Sequence, residues 1–418
     1  MSSDRNEPAC ALGFARLGEE VAQRWRARNN DISSFAEIAA SSLAGSGLIE
    51  TISTADIARW FLGSGLLPEQ RGRFVAQPSI TVYNSAGFFI ELLIWVDVPT
   101  SIHQHGFAGA FGVLRGSSVH TRYRFAPAER LSQELILGDL QFGSSELLQH
   151  GDIRAIEPGD ALIHALLHQE RPSISLVVRT PQLPQYMPSL RYLPPGLAFD
   201  TNYSPEPIRT QVKFFHTLAA TDPALFRELA EQTIATGDIW LAYKVIQISA
   251  LGAHSATAAL LKALRKRHAG FADVLAAAMV EKQRHDGIMR AMEDIAHPEH
   301  RYLLALLFNA PNRAVIDQLL KARFPDADPE EKIVEGVSAL SAAGHLNLGR
   351  DERSLELLRF ALRGASLKDA ARALGERFGD DSETQAATAR TWYQIKFAGL
   401  LKPLMQGAST DQALETVA

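Results

Sequence analysis

Over the first 76 residues, apolar side chains recur at three- and four-residue spacing, which predicts helices. Phe14 to Arg28 and Ile32 to Leu43 carry this period, and Ser53-Thr54-Ala55-Asp56 has the residues of a capped start to the apolar stretch Ile57 to Leu62. From about residue 78 to residue 180 the pattern changes to short runs rich in β-branched and aromatic residues, separated by Gly, Pro, Asp and Ser. Ile80 to Tyr83, Phe88 to Val96, Gly109 to Leu114, Ser118 to Phe125, Leu131 to Leu137, Asp152 to Ile156, Ala161 to His164 and Ser173 to Arg179 read as strands. Strands so short and evenly spaced predict a sandwich or barrel. Beyond residue 205 the helical period returns and runs almost to the end. Breaks at Thr221-Asp222-Pro223, Gly237-Asp238, His297-Pro298, Asn309-Ala310-Pro311-Asn312 and Asp326-Ala327-Asp328-Pro329 divide it into ten or so helices, with no fixed repeat length. The expected organisation is a helical segment over 1–76 packed on a barrel over 77–185, then a proline-rich linker over 186–207 and an all-helical domain over 208–418.

Composition narrows the function classes. A chain of 418 residues exceeds one ordinary core. Hydrophobic residues at 46% and charged residues at 21% describe a globular protein, and a net charge of −5 gives no general basic face for nucleic acid. The one dense basic run, Lys262 to His268, reads as a solvated helix face, and His297 with His300 as residues at a helix start. The longest apolar run, Ala86 to Val96, is interrupted by Glu91 and is too short to span a bilayer. The amino terminus lacks a basic segment followed by an apolar core, so no secretory signal is expected. Cys10 is the single cysteine, which excludes an internal disulfide and a thiolate zinc cluster. These features fit a reducing cytoplasm.

The candidate chemistry lies in Ser101-Ile-His-Gln-His105. Residues two apart on a strand project from one face, so His103 and His105 aim two imidazoles at one point. Downstream, Gly151 to Glu157, Pro158-Gly159 and Asp160 to His164 read as strand, turn and strand, and bring a third imidazole from a separate strand. His164 and His168 are four apart, about 13 Å on a continuous strand, so only one of them can join the pair on a single ion. His120 competes for the same role but reads better as a polar residue on the outer face of its strand.

His-x-His, then Leu114-x-Gly116, then Pro-Gly-Asp and a strand histidine resemble the two-motif signature of the cupin superfamily. Over about residues 80 to 185 the resemblance narrows to cysteine dioxygenase and related thiol dioxygenases, on Phe88-Phe-Ile-Glu-Leu-Leu-Ile-Trp95 before the histidine pair and on Ile163-His164 followed by Pro172-Ser-Ile-Ser175. The resemblance implies an α+β protein with a cupin (jelly-roll) β-barrel. It also favours His164 as third ligand, with His168 in the following loop or behind it. Most cupins add a glutamate five positions after the second histidine, and here that position is Ala110. A three-histidine site without a carboxylate is what thiol dioxygenases use, and it implies Fe(II).

The chain also departs from that family. The arginine that thiol dioxygenases carry near the first barrel strands to hold the substrate carboxylate is missing from Ile80-Thr-Val-Tyr-Asn84. Their Ser-x-His-x-Tyr relay reads Ser175-Leu-Val177-Val-Arg179 here. Ser175 and Arg179 share a strand face, which makes them the candidate catalytic pair, with Arg179 suited to a carboxylate or phosphate. Arg122, Tyr83, Glu91 and His168 are weaker pocket candidates. The expected activity is an O2-dependent oxygenase acting on a small-molecule thiol or a larger amino-acid-derived compound. The rival expectations are a non-oxidative metal-dependent isomerase or lyase, and a ligand sensor coupled to the helical domain. The helical domain itself is expected to build a lid, recognise a protein or peptide partner, or make a dimer.

Overall fold

The computed structural model describes residues 9–63, 67–71, 76–96, 100–200, 204–252, 254–379 and 381–405. Helices form where the apolar period predicts them at the amino-terminal end: α1 (Ala9–Arg26), α2 (Phe35–Gly45), the single turn α3 (Leu48–Thr51) and α4 (Thr54–Gly63). The period places Phe14, Leu17 and Val21 of α1 and Phe35, Ile38 and Leu43 of α2 in one buried layer. That layer covers the outer face of a five-stranded sheet through Ile80, Ile90, Leu92, Leu176 and Val178.

Eleven strands form among the described residues: β1 (Ser79–Asn84), β2 (Phe89–Trp95), β3 (Thr100–His105), β4 (Gly109–Arg115), β5 (Ser118–Arg130), β6 (Leu135–Leu148), β7 (Ile153–Ile156), β8 (Gly159–His168), β9 (Ser173–Arg179), β10 (Leu190–Leu193) and β11 (Leu197–Asp200). One sheet has the order β1-β2-β9-β4-β7, and a closed barrel has the order β10-β11-β6-β5-β8-β3. Every pairing is antiparallel. The architecture is α+β, with a closed antiparallel barrel beside a five-stranded sheet, an amino-terminal helical segment and a large all-helical carboxy-terminal part.

Two strand assignments change. Leu131 to Leu137 is not one strand, because β5 continues to Arg130 and the amides of Leu131 and Ser132 both donate to the Leu135 carbonyl in a hairpin turn. The polar residues Ser132, Gln133 and Glu134 make that turn, and only Leu135 onward belongs to β6. The proline-rich stretch is more than a connector. Its β10 and β11 form a hairpin across Pro194-Pro195-Gly196, and their outer pairings are to β3 and β6, which close the barrel. The prolines sit in the turn, where their missing amides cost no ladder bond.

The carboxy-terminal part consists of α5 (Glu206–Thr221), α6 (Pro223–Thr236), α7 (Ile239–Gly252), α8 (His254–Arg267), α9 (Ala269–Asp294), α10 (Pro298–Asn309), α11 (Arg313–Arg323), α12 (Pro329–Ala342), α13 (Glu352–Leu362), α14 (Leu367–Phe378), α15 (Ser382–Phe397) and the turn α16 (Lys402–Met405). The predicted breaks fall between helices, with Asp222, Asn312 and Asp328 as side-chain caps. These helices bury two apolar cores, and the long α9 spans both: Phe271 and Leu275 lie in one, Ile288 and Met292 in the other. The barrel enters the first through Leu135, Leu137 and Leu197 and the second through Val119 and Leu167. A buried leucine contributes roughly 1.5–3 kcal/mol, so the two halves are joined by packing. Strand β8 therefore faces two ways: Leu167 meets the helices, and its alternate residues face the barrel interior. No helix among the described residues is long and apolar enough to cross a membrane.

Candidate metal centre

Pairing in the barrel brings the histidines together. His103 on β3 lies directly opposite His164 on β8, and a register shift after Gln104 sets His105 opposite Gly159. Gly159 has φ +70, the left-handed conformation that the Pro158-Gly159 turn requires and a glycine adopts without strain. The candidate ligand nitrogens of His103, His105 and His164 all lie within 4.8 Å of one another. His105 Nε2 and His164 Nε2 are 2.9 Å apart. Two nitrogens bound at about 2.1 Å and at right angles on one ion would be about 3 Å apart, so this pair already has the spacing of adjacent ligands.

The protonation state of the three rings suits metal ligation. Burial pushes His103 down to about 4, and it holds His105 and His164 well below the usual imidazole range, with neighbouring histidines adding to the effect. All three rings are neutral at pH 7, the state in which an imidazole nitrogen can bind a metal. His103 Nδ1 lies 2.7 Å from the Ser101 carbonyl, to which it must donate, and this leaves its Nε2 lone pair free. Ala110, the position of a fourth, carboxylate ligand in many cupins, is buried on β4, and no acid joins the group among the described residues.

The three histidines open onto a cavity of about 550 Å³. Its apolar wall includes Phe89, Leu93, Trp95, Phe107, Phe111 and Val177. Ser175 and Arg179 line it together, as their shared strand face predicts. The Arg179 guanidinium lies 4.4 Å from the Phe89 ring centre and 4.6 Å from that of Phe107, and it donates to Glu91. Glu91, 2% exposed, is thereby the buried carboxylate's paired state. Arg71 and Arg191 also line the cavity, and neither has an ion-pair partner among the described residues. Arg191 stands directly opposite His103, on the same face of the barrel sheet. Neither arginine stood out in the sequence, since Arg71 precedes the first strand and Arg191 lies in the proline-rich stretch.

The other candidates are placed elsewhere. Tyr83 is outside the cavity: β1 bulges between Thr81 and Tyr83, which turns the tyrosine to the outer face, where it stacks on Phe88 and crowds Gly18 of α1. Burial there raises its hydroxyl's pKa. Arg122 is exposed and lines a separate groove with Arg124, Phe142 and Asp160. His168, at the last position of β8, is apart from the three clustered histidines. It stacks on Trp95 at 4.8 Å, its Nδ1 is 2.8 Å from the Ser118 hydroxyl, and burial pushes it down to about 3.

His120 is the main departure from the sequence reading. It is fully buried and faces the barrel interior, with its Nε2 2.9 Å from His164 Nδ1 and its Nδ1 2.9 Å from Glu146 Oε1. Period-two alternation allows either face for a lone strand, and only the register that sets His120 opposite Leu166 and Glu146 decides it. Hydrogen bonds from His120 and then Arg154 hold Glu146 well below the usual carboxylate range. The basic run on α8 is partly absorbed into structure, with Arg265 paired to Asp273 and Arg267 donating to the Gly237 carbonyl.

No protein-family description matches the chain, and no curated protein matches it by sequence. Among solved structures it is similar to the DMSP lyase DddQ from Ruegeria pomeroyi DSS-3, at 14% identity over 41% of this chain and 93% of that one, with a TM-score of 0.23. It is also similar to an oxalate oxidase, at 15% identity over 39% and 77% of the two chains with a TM-score of 0.21, and to Fe(II) HppE, at 12% identity over 41% and 100% with a TM-score of 0.18.

Proposed function

We propose that the chain is a mononuclear non-haem iron, O2-dependent oxygenase acting on a thiol or another amino-acid-derived substrate. The observation that carries this reading is the convergence of three neutral imidazoles, joined by no carboxylate among the described residues, on the wall of a cavity large enough for a small substrate. Fe(II) held by His103, His105 and His164 would supply a redox centre with positions left for both substrate and O2.

The chain's own residues supply binding and orientation. Neutral ligands leave the charge of a divalent ion uncompensated, and Arg71, Arg179 and Arg191 outnumber Glu91, the one carboxylate lining the cavity among the described residues. The cavity therefore favours an anion. Two opposite charges about 4 Å apart attract by roughly 4 kcal/mol at an effective dielectric constant near 20, which supports a substrate carrying a carboxylate. Arg191, beside His103 and without a carboxylate partner among the described residues, is better placed to take it than Arg179, which Glu91 already holds. Phe107, Phe111 and Trp95 give the same cavity an apolar wall.

The test is oxygen uptake by anaerobically purified, iron-loaded protein against a panel of thiols and amino acids. Uptake triggered by one of them supports the oxygenase reading. Iron at about one per chain with tight binding of a panel member, yet no oxygen consumed, contradicts it and leaves a lyase, an isomerase or a sensor.

A further inference from the structure

The three histidines are joined to the barrel's outer surface by a line of hydrogen bonds that the proposed reaction does not itself require. His164 Nδ1 meets His120 Nε2 at 2.9 Å, and His120 Nδ1 meets Glu146 Oε1 at 2.9 Å. Arg154 on β7 donates through Nη2 to Glu146 Oε2 at 2.6 Å and through Nε to Oε1 at 3.1 Å. His120 is wholly buried, while Glu146 and Arg154 are partly exposed.

The direction of every proton in this line follows from its outer end. A guanidinium only donates, so the Glu146 carboxylate is held as an acceptor. His120 must then carry its proton on Nδ1, and a neutral His120 has only a lone pair left on Nε2. His164 in turn must donate from Nδ1, which leaves the His164 Nε2 lone pair bare and directed at the metal position. Without the line, His164 could take either tautomer, and one of the two places a proton where the ion should bind.

We infer that His120, Glu146 and Arg154 form a positioning relay that fixes the tautomer and the ring orientation of His164 and thereby sets the metal affinity of the site. They are positioning residues, since none of them reaches the metal or the cavity. The relay rests on the three-histidine metal reading and is independent of the reaction assigned to it.

The experiment uses the full chain, stripped of metal and titrated with Co(II) in competition with a chelator. Selective 15N labelling of histidine in the metal-free protein reports the His164 tautomer. His120→Leu removes the acceptor for His164 and should weaken Co(II) binding by about 10- to 100-fold. His120→Gln is the rescue, because its amide oxygen can occupy the place of Nε2 and accept from His164, and it should bind Co(II) within about threefold of the unaltered protein. Glu146→Gln puts an amide opposite His120, relaxes the tautomer of His164 and should cost about tenfold. Thermal unfolding of each metal-free variant checks that it folds, and the Leu and Gln variants at position 120 keep the test decisive if the Glu146 variant does not. Equal Co(II) affinity in His120→Leu and His120→Gln, or a His164 tautomer unchanged by Glu146→Gln, would overturn the relay. Failure of the unaltered protein to bind Co(II) would instead overturn the three-histidine reading beneath it.

Discussion

Strand β8 carries two chemically identical side chains with different surroundings, His164 in its middle and His168 at its last position. His164 and His168 both face inward, both are buried, and both are kept neutral by burial. Around His164, two more imidazoles from β3 converge and a hydrogen-bond line enters from behind. At the His168 end, the ring is covered by Trp95 and tied to Ser118, and the next residues are gripped by Arg301 of α10, whose Nε donates to the Gln169 carbonyl at 2.6 Å. What faces a buried histidine thus decides whether it can serve as a metal ligand, while its own burial decides nothing. At the last position of β8 the same residue type packs inside the barrel against Trp95 and Ser118, and it is the backbone carbonyls of His168 and Gln169 that tie the strand to Arg301 of the helical half.

That contrast can be broken by substitution, starting with the largest effect. His103→Ala, His105→Ala or His164→Ala should reduce bound metal from about one ion per chain to nearly none by elemental analysis, because two imidazoles alone hold an ion poorly. Acid comes next. The unfolded chain binds a proton at His103 near pH 6.5, whereas the folded, metal-free chain resists it until about 4, so stability is lost as pH falls through that window. This one residue should remove on the order of 3 kcal/mol between pH 7 and pH 4, read from urea unfolding. A flat profile would mean that water reaches the site. His168→Ala should leave metal loading intact and cost about 2 kcal/mol of stability, through the void beneath Trp95 and the lost Ser118 bond. Arg179→Met should weaken substrate binding about tenfold, roughly 1.4 kcal/mol, without changing metal content. A change in metal content instead would assign the Arg179–Glu91 pair to the fold alone.

The sequence exposes the part of this site that depends on local pattern. His103 and His105 follow from a two-residue period, and His164 from the strand after a Pro-Gly turn, so both motifs are visible without knowing which strands pair. The rest depends on register. His120 faces inward only because β5 lies between β6 and β8 in a particular alignment. Tyr83 faces outward because of one bulge. The pairing of Arg179 with Glu91 requires β2 beside β9, where Phe89 stands opposite Arg179. The hairpin of β10 and β11 escaped notice for a different reason, since prolines gathered in and around it outweigh four-residue strands in any local reading. The helical half was legible in its boundaries through Asp-Pro and Asn-containing breaks, while its division into two cores bridged by α9 was not, because a 26-residue helix with apolar residues on several faces gives no sign of changing partners.

The most direct test compares metal content in the unaltered protein, His164→Ala and His168→Ala, purified side by side without oxygen. The account predicts about one ion per chain in the first and third and nearly none in the second. Equal loss in both variants, or full loading in His164→Ala, would contradict the assignment of the metal to His164.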